Sequence, residues 1–470
     1  MTKSLDESLS FFKDKVSDCI KSGKSISITT HIDCDGLTSG SIITKALIRA
    51  GAKCTVRTSK EFSKNIAESF KTDSRDFHII TDLAGGFANT LDETLGDNWI
   101  VLDHHQIPEE EKDNQNVINS WKYGIDGGVE ICAGGMAYLA SMALDEKNSD
   151  LSAIAVVSAL GDRQDQGERK SFTGKNFEIA NVAKEQGLVE IDLDLLLVGR
   201  ETRPLADALA FTSQPFIEGL TWNREACYAL LNSSGIRLKE EGRWRVPAEL
   251  NEEEKRQVIE SITKFTSGKN ATEIMSELIG YTYTFPREDR RSFLRDGREF
   301  STMLNSCGRI NRSGVGMAVC MGDRNKILRE GEVILTDYRK MIREYMNILT
   351  NERWRISESE TCVMVNGVDI VPETMTGTIS SLIAGSPKNS GKIVILRTNG
   401  EENTIKFSSR KSFSCKSDIN LSELMRTGAA KFDGIGGGHA AAAGAKITKD
   451  KLDEFLNYLE VNVVNVSSAN

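Results

Sequence analysis

Trp99-Ile100-Val101-Leu102-Asp103-His104-His105-Gln106 decides how this chain is read. Its first four residues have the length and the side chains of a buried strand, and the polar cluster falls where such a strand leaves a sheet. Two earlier stretches repeat the arrangement. Ser25-Ile26-Ser27-Ile28-Thr29-Thr30 runs into His31-Ile32-Asp33-Cys34-Asp35-Gly36, and Phe77-His78-Ile79-Ile80-Thr81 runs into Asp82. Three expected strands each deliver His or Asp at the carboxyl end, where open α/β sheets place their ligands. One pair of adjacent histidines is as readily a surface coincidence as a metal site. Three such motifs at three strand ends point to a shared site.

Around these motifs the chain has 470 residues, enough for two or three domains with substantial cores. Apolar content of 39% and charged content of 27% describe a soluble globular protein. No stretch approaches the length of a bilayer span, and Met1–Glu7 lacks the basic-then-apolar form of a secretory leader, so a cytoplasmic location and no membrane contact are expected. Nine cysteines without a Cys-x-x-Cys pair exclude a disulfide framework and a thiolate zinc site, and they fit a reducing compartment. Cys34 is expected to face away from the ligands. A net charge of −9 argues against non-specific coating of long duplex, while leaving room for a local basic groove.

Taken in order, Ser4-x-x-Glu7 forms a capping box for an amphipathic helix to about Ile20, with Leu5, Leu9, Phe12, Val16 and Ile20 on one face. The first strand, a turn at 31–36 and a helix from about Leu37 to Ala50 follow. Strands are expected at Cys54–Arg57, Asp76–Asp82 and Trp99–Asp103, which gives a parallel doubly wound sheet. Asn119–Gly128 reads as a polar, Gly-rich connection. Helices are expected at Ala137–Leu144 and Leu151–Leu160; the second runs into Asp162, where the macrodipole disfavours an acid without a cationic partner.

From about 196 to 345 the pattern is mostly helical with mixed charge. Its basic cluster, Arg287, Arg290, Arg291, Arg295, Arg298, Arg309 and Arg312, is interleaved with Glu288, Asp289, Asp296 and Glu299. A solvated helix face and a phosphate-contacting surface both remain open for it. From 346 to 470 strands return at Thr361–Val365, Gly377–Ile383, Lys392–Arg397 and Thr404–Ser408. A helix at Asn420–Ala430, the stretch Gly434-Ile435-Gly436-Gly437-Gly438-His439 and a last helix at Lys449–Leu459 complete this part. The expected divisions are therefore 1–195, 196–345 and 346–470.

Four of the five histidines fall in the motifs: His31, His104, His105 and His439. His31, Asp33, Asp35, Asp82, Asp103, His104, His105 and Asp162 together offer hard carboxylates with a few imidazoles, which suits two Mn²⁺ or Mg²⁺ ions. Such a pair serves in-line displacement at phosphorus, and Asp82, alone on its strand, is the expected bridge. Gly436-Gly437-Gly438 permits close approach and positive φ around an anion, His439 adds a donor, and Arg410 suits a phosphate fork.

These residues resemble the DHH phosphoesterase superfamily: Asp103-His104-His105, His-x-Asp-x-Asp-Gly at 31–36, Asp82, Asp162, and the Gly-Gly-Gly-His of its associated C-terminal domain. Gly199-Arg200-Glu201-Thr202-Arg203-Pro204-Leu205 and Leu304-Asn305-Ser306-Cys307-Gly308-Arg309 look like segments of the archaeal RecJ-like group, which includes the GINS-associated nuclease. The resemblance implies a DHH domain, a helical insertion and a smaller α/β C-terminal domain. It implies His31, Asp33, Asp35, Asp82, His104 and Asp162 as ligands of two Mn²⁺ ions, His105 beside the scissile phosphate, and Asp103 in support. Arg410, Gly436, Gly437, Gly438 and His439 would grip the nucleotide. The implied activity is a single-strand exonuclease on DNA, with RNA also in range, running 5′→3′ on DNA, in replication or repair with a GINS-type partner. A hydrolase of short oligonucleotides or cyclic dinucleotides, and a GINS-binding replisome scaffold, are the rivals. Two departures stand out: the 31 residues after His439 leave no room for a further OB domain, and Ile435 occupies a place where a small residue is common.

Overall fold

The computed structural model describes residues 4–109, 112–266, 271–412 and 414–464. The first three residues of the N-terminal stretch and the end of the polar tail lie outside these. Two compact units emerge, 1–335 and 336–470.

In the first unit, Ser4 caps α1 (Leu5–Lys21) with the expected capping box, and Leu9, Phe12 and Val16 are buried on its inner face. Then come β1 (Ser25–His31), α2 (Cys34–Arg49), β2 (Lys53–Ser59), α3 (Lys64–Ser69), β3 (Phe77–Thr81), α4 (Ala88–Leu95), β4 (Trp99–Asp103) and β5 (Val117–Asn119). The sheet order is β2-β1-β3-β4-β5, and every neighbouring pair is parallel. Side chains alternate across it. Ile79, Ile100, Leu102 and Ile118 join α1, α2 and α5 (Ala133–Leu144) in one core. Ile80, Trp99, Val101 and Val117 join α3 and α4 in another. Both faces are covered, so the sheet is doubly wound as expected.

Strand order reverses between β1 and β3, and it is at such a switch point that α/β sheets open a ligand crevice. β5 was not legible because Val117-Ile118-Asn119 is too short to show a period. α2 begins at Cys34 and not at about Leu37: Asp33 is its N-cap, so the expected turn is largely the first turn of a helix.

After α6 (Ser152–Gly161) and α7 (Gly174–Glu185), β6 (Glu190–Leu195) pairs antiparallel with a strand much later in the chain, Ile279–Thr284. Between them lie α8 (Leu205–Phe211), α9 (Arg224–Ser233), the hairpin β7 (Lys239–Glu240) and β8 (Arg243–Trp244), α10 (Glu252–Phe265) and α11 (Ala271–Leu278), around a core of their own. The returning strand is β9 (Ile279–Thr284). It leads to α12 (Gly297–Arg309) and α13 (Ser313–Met321), whose Phe300, Met303, Leu304 and Cys307 share a core with Cys34 and Leu37 of α2. Residues 286–295 are not helical. Their arginines close ion pairs within the unit: Arg291 to Glu249 at 2.6 Å, Arg295 to Glu201 at 3.6 Å, and Arg298 at the head of α12 to Asp165 at 2.7 Å. The solvated-helix reading is thereby corrected for Arg291 and Arg295, which lie outside any helix and are paired within the unit, and for Arg298, which is on a helix but paired.

α14 (Lys326–Asn351) carries the chain into the second unit, whose sheet runs β10 (Ile356–Glu358), β11 (Cys362–Asn366), β12 (Ile393–Asn399), β13 (Thr404–Lys411), β15 (Ala442–Thr448) and β14 (Ile435–His439). The expected strand Gly377–Ile383 is instead the helix α15 (Thr376–Ala384), buried through Ile379 and Ile383. α16 (Leu421–Ala430) and α17 (Leu452–Leu459) complete the unit. The Gly-Gly-Gly-His stretch is not a loop but the edge strand β14, paired antiparallel with β15.

Candidate metal centre

Each expected ligand stands at an element end on the carboxyl side of the sheet. His31 is the last residue of β1, Asp33 caps α2, Asp35 lies in the first turn of α2, and Asp82 follows β3. Asp103 ends β4, His104 and His105 follow it, and Asp162 caps the C-terminus of α6. Donor atoms within 4.8 Å of one another form three groups: His31, Asp33 and Asp82; Asp35, His104 and Asp162; and Asp82, Asp103, His104 and His105. All eight residues meet in one crevice.

The two halves of the Asp82 carboxylate face opposite ways. Oδ1 is 3.3 Å from His104 Nε2, and Oδ2 is 3.5 Å from His31 Nδ1. Oδ2 is buried and has no hydrogen-bond partner, an arrangement that costs about 1–3 kcal/mol unless something else satisfies it. Its backbone sits at φ +61°, sparsely populated by residues other than glycine. An unsatisfied carboxylate oxygen at the switch point is what a cation would satisfy.

The histidines are held in matching ways. His104 Nδ1 donates to the Gly127 carbonyl at 2.6 Å, and His31 Nε2 lies 3.2 Å from the Lys60 carbonyl. A carbonyl can only accept, so each ring turns its other nitrogen toward the carboxylates, as metal-ligating histidines do. Asp103 works differently. Its Oδ2 accepts the Gly85 N–H at 2.9 Å and its Oδ1 accepts from His105 Nδ1 at 2.9 Å, while His105 stays half exposed.

Electrostatics follow from this crowding. Burial, then the Asp82 and Asp162 charges, push the Asp35 carboxyl up; burial and Asp82 do the same to Asp162. Burial opposes charge on His31 and His104 as well, but Asp33 and Asp82 around the first, and Asp162, Asp82 and Asp35 around the second, hold both imidazoles well above their usual range. His105, disfavoured by burial and favoured by Asp103, is raised to about 9. Four carboxylates and two imidazoles in one crevice fit hard divalent cations.

Several supporting residues carried no sequence signal. Asp35 Oδ1 accepts from Gly134 N at 2.8 Å and from the Ser158 hydroxyl, and Oδ2 from Ala133 N at 2.8 Å, so the N-terminus of α5 and the flank of α6 orient it. Gln164, fully buried, donates to Gly127 O at 2.8 Å and to Asp162 Oδ2 at 2.7 Å. Trp121 Nε1 donates to His104 O and Asn119 Nδ2 to His105 O. The glycine at 127 is required: a Cβ there would stand 1.8 Å from His104 O. Cys34 is buried in the core behind the site, as expected.

The remaining expected residues lie in the second unit. Arg410 of β13 and His439 of β14 both register with Ala442 of β15, so they project from the same face of the sheet, about 10 Å apart at two strand spacings. Gly437 and Gly444 lie beside them as another register pair, and a Cβ at Gly437 would touch nothing within 4 Å. The floor between Arg410 and His439 is thus nearly bare of side chains. The three glycines are not equivalent. Gly436 lets α16 approach, since a Cβ would stand 2.2 Å from Met425 O, and only Gly438 has positive φ, at +135°. Arg410 Nε lies 3.1 Å from Ser381 Oγ of α15. Ile435 is 77% exposed.

Fold and donor set define a cluster that could hold divalent metal on a doubly wound α/β domain that is followed by a second α/β unit. Three family models match: the DHH family N-terminal domain at 25–161, the DHH-CID domain at 197–279 and the DHHA1 domain at 361–465. The chain belongs to the DHH superfamily, with a DHH domain, a DHH-CID domain and a DHHA1 domain in that order. A curated relative, an uncharacterised protein of Methanocaldococcus jannaschii, is 28% identical over 448 residues, 93% of this chain and 92% of its own. The fold is shared with CDC45 from Entamoeba histolytica (TM-score 0.64, 14% identity, 96% of this chain and 98% of that one). It is shared too with RecJ from Thermus thermophilus in complex with Mn²⁺ (TM-score 0.60, 14% identity, 97% of this chain). The chain spans 55% of that RecJ. Among the described residues no helix is long and apolar enough to cross a membrane.

Proposed function

We propose that this chain is a two-metal exonuclease that hydrolyses phosphodiester bonds of single-stranded DNA from an end, 5′→3′, with RNA as a second substrate. One observation carries the reading: Asp82 offers one oxygen to the His31–Asp33 group and the other to the Asp35–His104–Asp162 group. That is how a bridging carboxylate serves two cations. His31, Asp33, Asp35, Asp82, His104 and Asp162 would hold Mn²⁺, or Mg²⁺ in its place. Bound cations supply Lewis-acid polarisation at phosphorus and a more acidic water. His105, oriented by Asp103 and favouring the protonated form, presents a half-exposed ring to donate to a phosphate oxygen. Asp103 has both oxygens engaged by the protein and serves as that ring's anchor. In the second unit, Arg410, Gly436, Gly437, Gly438 and His439 would bind nucleotide phosphate on the bare strip of sheet. Catalysis is assigned to 1–195 and substrate binding to 346–470. The part between, 196–345, is assigned to a GINS-type replisome partner, in replication or repair.

A scaffold without catalysis is the second reading, favoured by the TM-score of 0.64 to CDC45 over nearly both chains. The intact donor set weighs against it. The test uses 5′- and 3′-labelled single-stranded DNA, RNA and a dinucleotide with Mn²⁺, Mg²⁺ or EDTA. A Mn²⁺-dependent ladder from the 5′ end of DNA supports the proposal. Cleavage of the dinucleotide alone moves the chain to the short-oligonucleotide hydrolases. No cleavage by protein that binds Mn²⁺ favours the scaffold.

A further inference from the structure

α12 lies outside all three matched family models, yet it touches two of the ligand-bearing stretches. Asn305 Oδ1 accepts the Cys34 N–H at 3.0 Å, from 271 residues away in sequence. That N–H is the first of α2, one of the donors that a helix cannot satisfy from within. Asp33, just before it, caps the same helix by giving Oδ1 to the Gly36 N–H at 3.0 Å, which leaves its Oδ2 toward His31 Nδ1, also at 3.0 Å. One turn after Asn305, Gly308 presses on the other side of Asp33: a Cβ there would stand 1.6 Å from the Ile32 carbonyl oxygen. No other residue type fits that contact. Asp33 is therefore gripped by α12 through the peptides on both its flanks.

The first turn of α12 holds the other stretch. Arg298 forks Asp165 through Nε at 3.2 Å and Nη2 at 2.7 Å, three residues past Asp162. Ser301 lies against Gly161, whose Cβ would meet the Ser301 Cβ at 3.5 Å. The start of α2 and the end of α6 thus share a single rigid brace.

We infer that Asn305 is a positioning residue of the metal centre: through the Cys34 N–H it fixes the first turn of α2, and with it the directions in which Asp33 and Asp35 point. This rests on the two-metal reading and extends it to a residue that touches neither cation nor substrate. Groups that orient metal ligands typically cost 10–100-fold in metal affinity or activity when lost. Asn305→Leu keeps the volume and removes the acceptor; Asn305→Asp keeps the acceptor.

Mn²⁺ is titrated into the EDTA-stripped full-length protein and its two variants, by calorimetry and by the electron paramagnetic resonance of free Mn²⁺, with Tm in EDTA measured alongside. The expected result is two ions in the wild type, Mn²⁺ bound about 10–100-fold more weakly by Asn305→Leu, and affinity within a few fold of wild type in Asn305→Asp. A leucine variant with lower Tm but wild-type Mn²⁺ binding makes Asn305 a merely structural residue and overturns the inference, while leaving the nuclease reading intact. Should the leucine variant not fold, Asn305→Ala takes its place under the same criteria. Wild-type protein that binds no Mn²⁺ overturns both; wild-type protein that binds two ions but cleaves nothing overturns only the nuclease.

Discussion

Asp82→Asn is the substitution on which the metal centre is most exposed to refutation. Asparagine keeps the shape and tolerates the left-handed φ of +61° better than alanine, for which that region costs roughly 1–2 kcal/mol. In EDTA the variant should change little, because two effects oppose each other. The Asp82 charge raises the carboxyls of Asp35 and Asp162, and its unpartnered Oδ2 costs about 1–3 kcal/mol. Set against this, the Asp82 charge helps hold the imidazoles of His104 and His31, 3.3 and 3.5 Å away, in their protonated forms, and the variant loses that attraction. The two effects largely cancel, and a change within about 1 kcal/mol, or about 2 °C in Tm for a domain of this size, is expected. With Mn²⁺ the two proteins separate. At one hundred times Kd each occupied site adds about 2.7 kcal/mol, so two sites raise the wild-type Tm by about 10 °C. The variant should barely respond, and turnover should fall at least about 1,000-fold, equivalent to roughly 4 kcal/mol of transition-state stabilisation. Scanning calorimetry with and without Mn²⁺, beside the ladder assay, reads both effects. A variant that keeps the Mn²⁺-dependent rise in Tm, or turns over within tenfold of wild type, would refute the shared-carboxylate assignment.

Gly436→Ala should destabilise the second unit, because its Cβ would stand 2.2 Å from Met425 O, whereas Gly437→Ala, with open space around it, should fold normally and raise KM; urea melts and steady-state kinetics separate the two. His439→Ala should raise KM while leaving calorimetric Mn²⁺ binding unchanged, and a missing ion would make it a ligand. Mn²⁺ binding should release protons, since without the ion Asp35, Asp162, His31 and His104 all have raised pKa values and the ion takes their deprotonated forms, so apparent affinity climbs with pH; calorimetry in buffers of differing ionisation enthalpy that finds no release contradicts this. For the partner surface, Glu252→Lys with Glu253→Lys should weaken pull-down of a GINS-type partner without altering cleavage. Glu254 is unsuitable for this, as its carboxylate forks the buried Arg245.

β3 and β4 of the first sheet were legible because each is a short apolar run that stops in a polar residue, as parallel strands buried on both faces should be, and β1 because Ile26 and Ile28 precede a polar turn. The misreadings have separable causes. Thr376-Gly377-Thr378-Ile379-Ser380-Ser381-Leu382-Ile383 carries β-branched residues and a glycine, a strand by propensity, yet it forms α15 because packing against β12 and β13 outweighs a weak local preference. The arginines at 287–298 could not be assigned from charge alone. Their partners Glu249, Glu201 and Asp165 lie about 40 to 130 residues away, and only the fold brings them together. The glycines before His439 carried no strand signal, since glycine is depleted in strands. They nevertheless pair with β15, and close packing on α16 needs at least Gly436 to lack a side chain.

The site divides along the same line, for a physical reason. Ligands must be carboxylates or imidazoles, and such residues at strand ends are conspicuous, so the six proposed ligands, with Asp103 and His105 beside them, could be named from the sequence. What holds them is chemically anonymous. Asp35 is oriented by the N–H groups of Ala133 and Gly134, and any residue could supply those. His104 is oriented by the Gly127 carbonyl, and Cys34 by an asparagine on a helix that begins more than 250 residues later. Backbone groups and common amides acquire a role only through position. A buried carboxylate oxygen without a hydrogen-bond partner, on a residue at φ +61°, is tolerable only if the surrounding structure outweighs its cost. The supports, of which only the Leu304–Arg309 stretch stood out in the sequence, are therefore what hold Asp35, His104 and the start of α2 around Asp82 when no cation is bound, and the ligands alone do not make the centre.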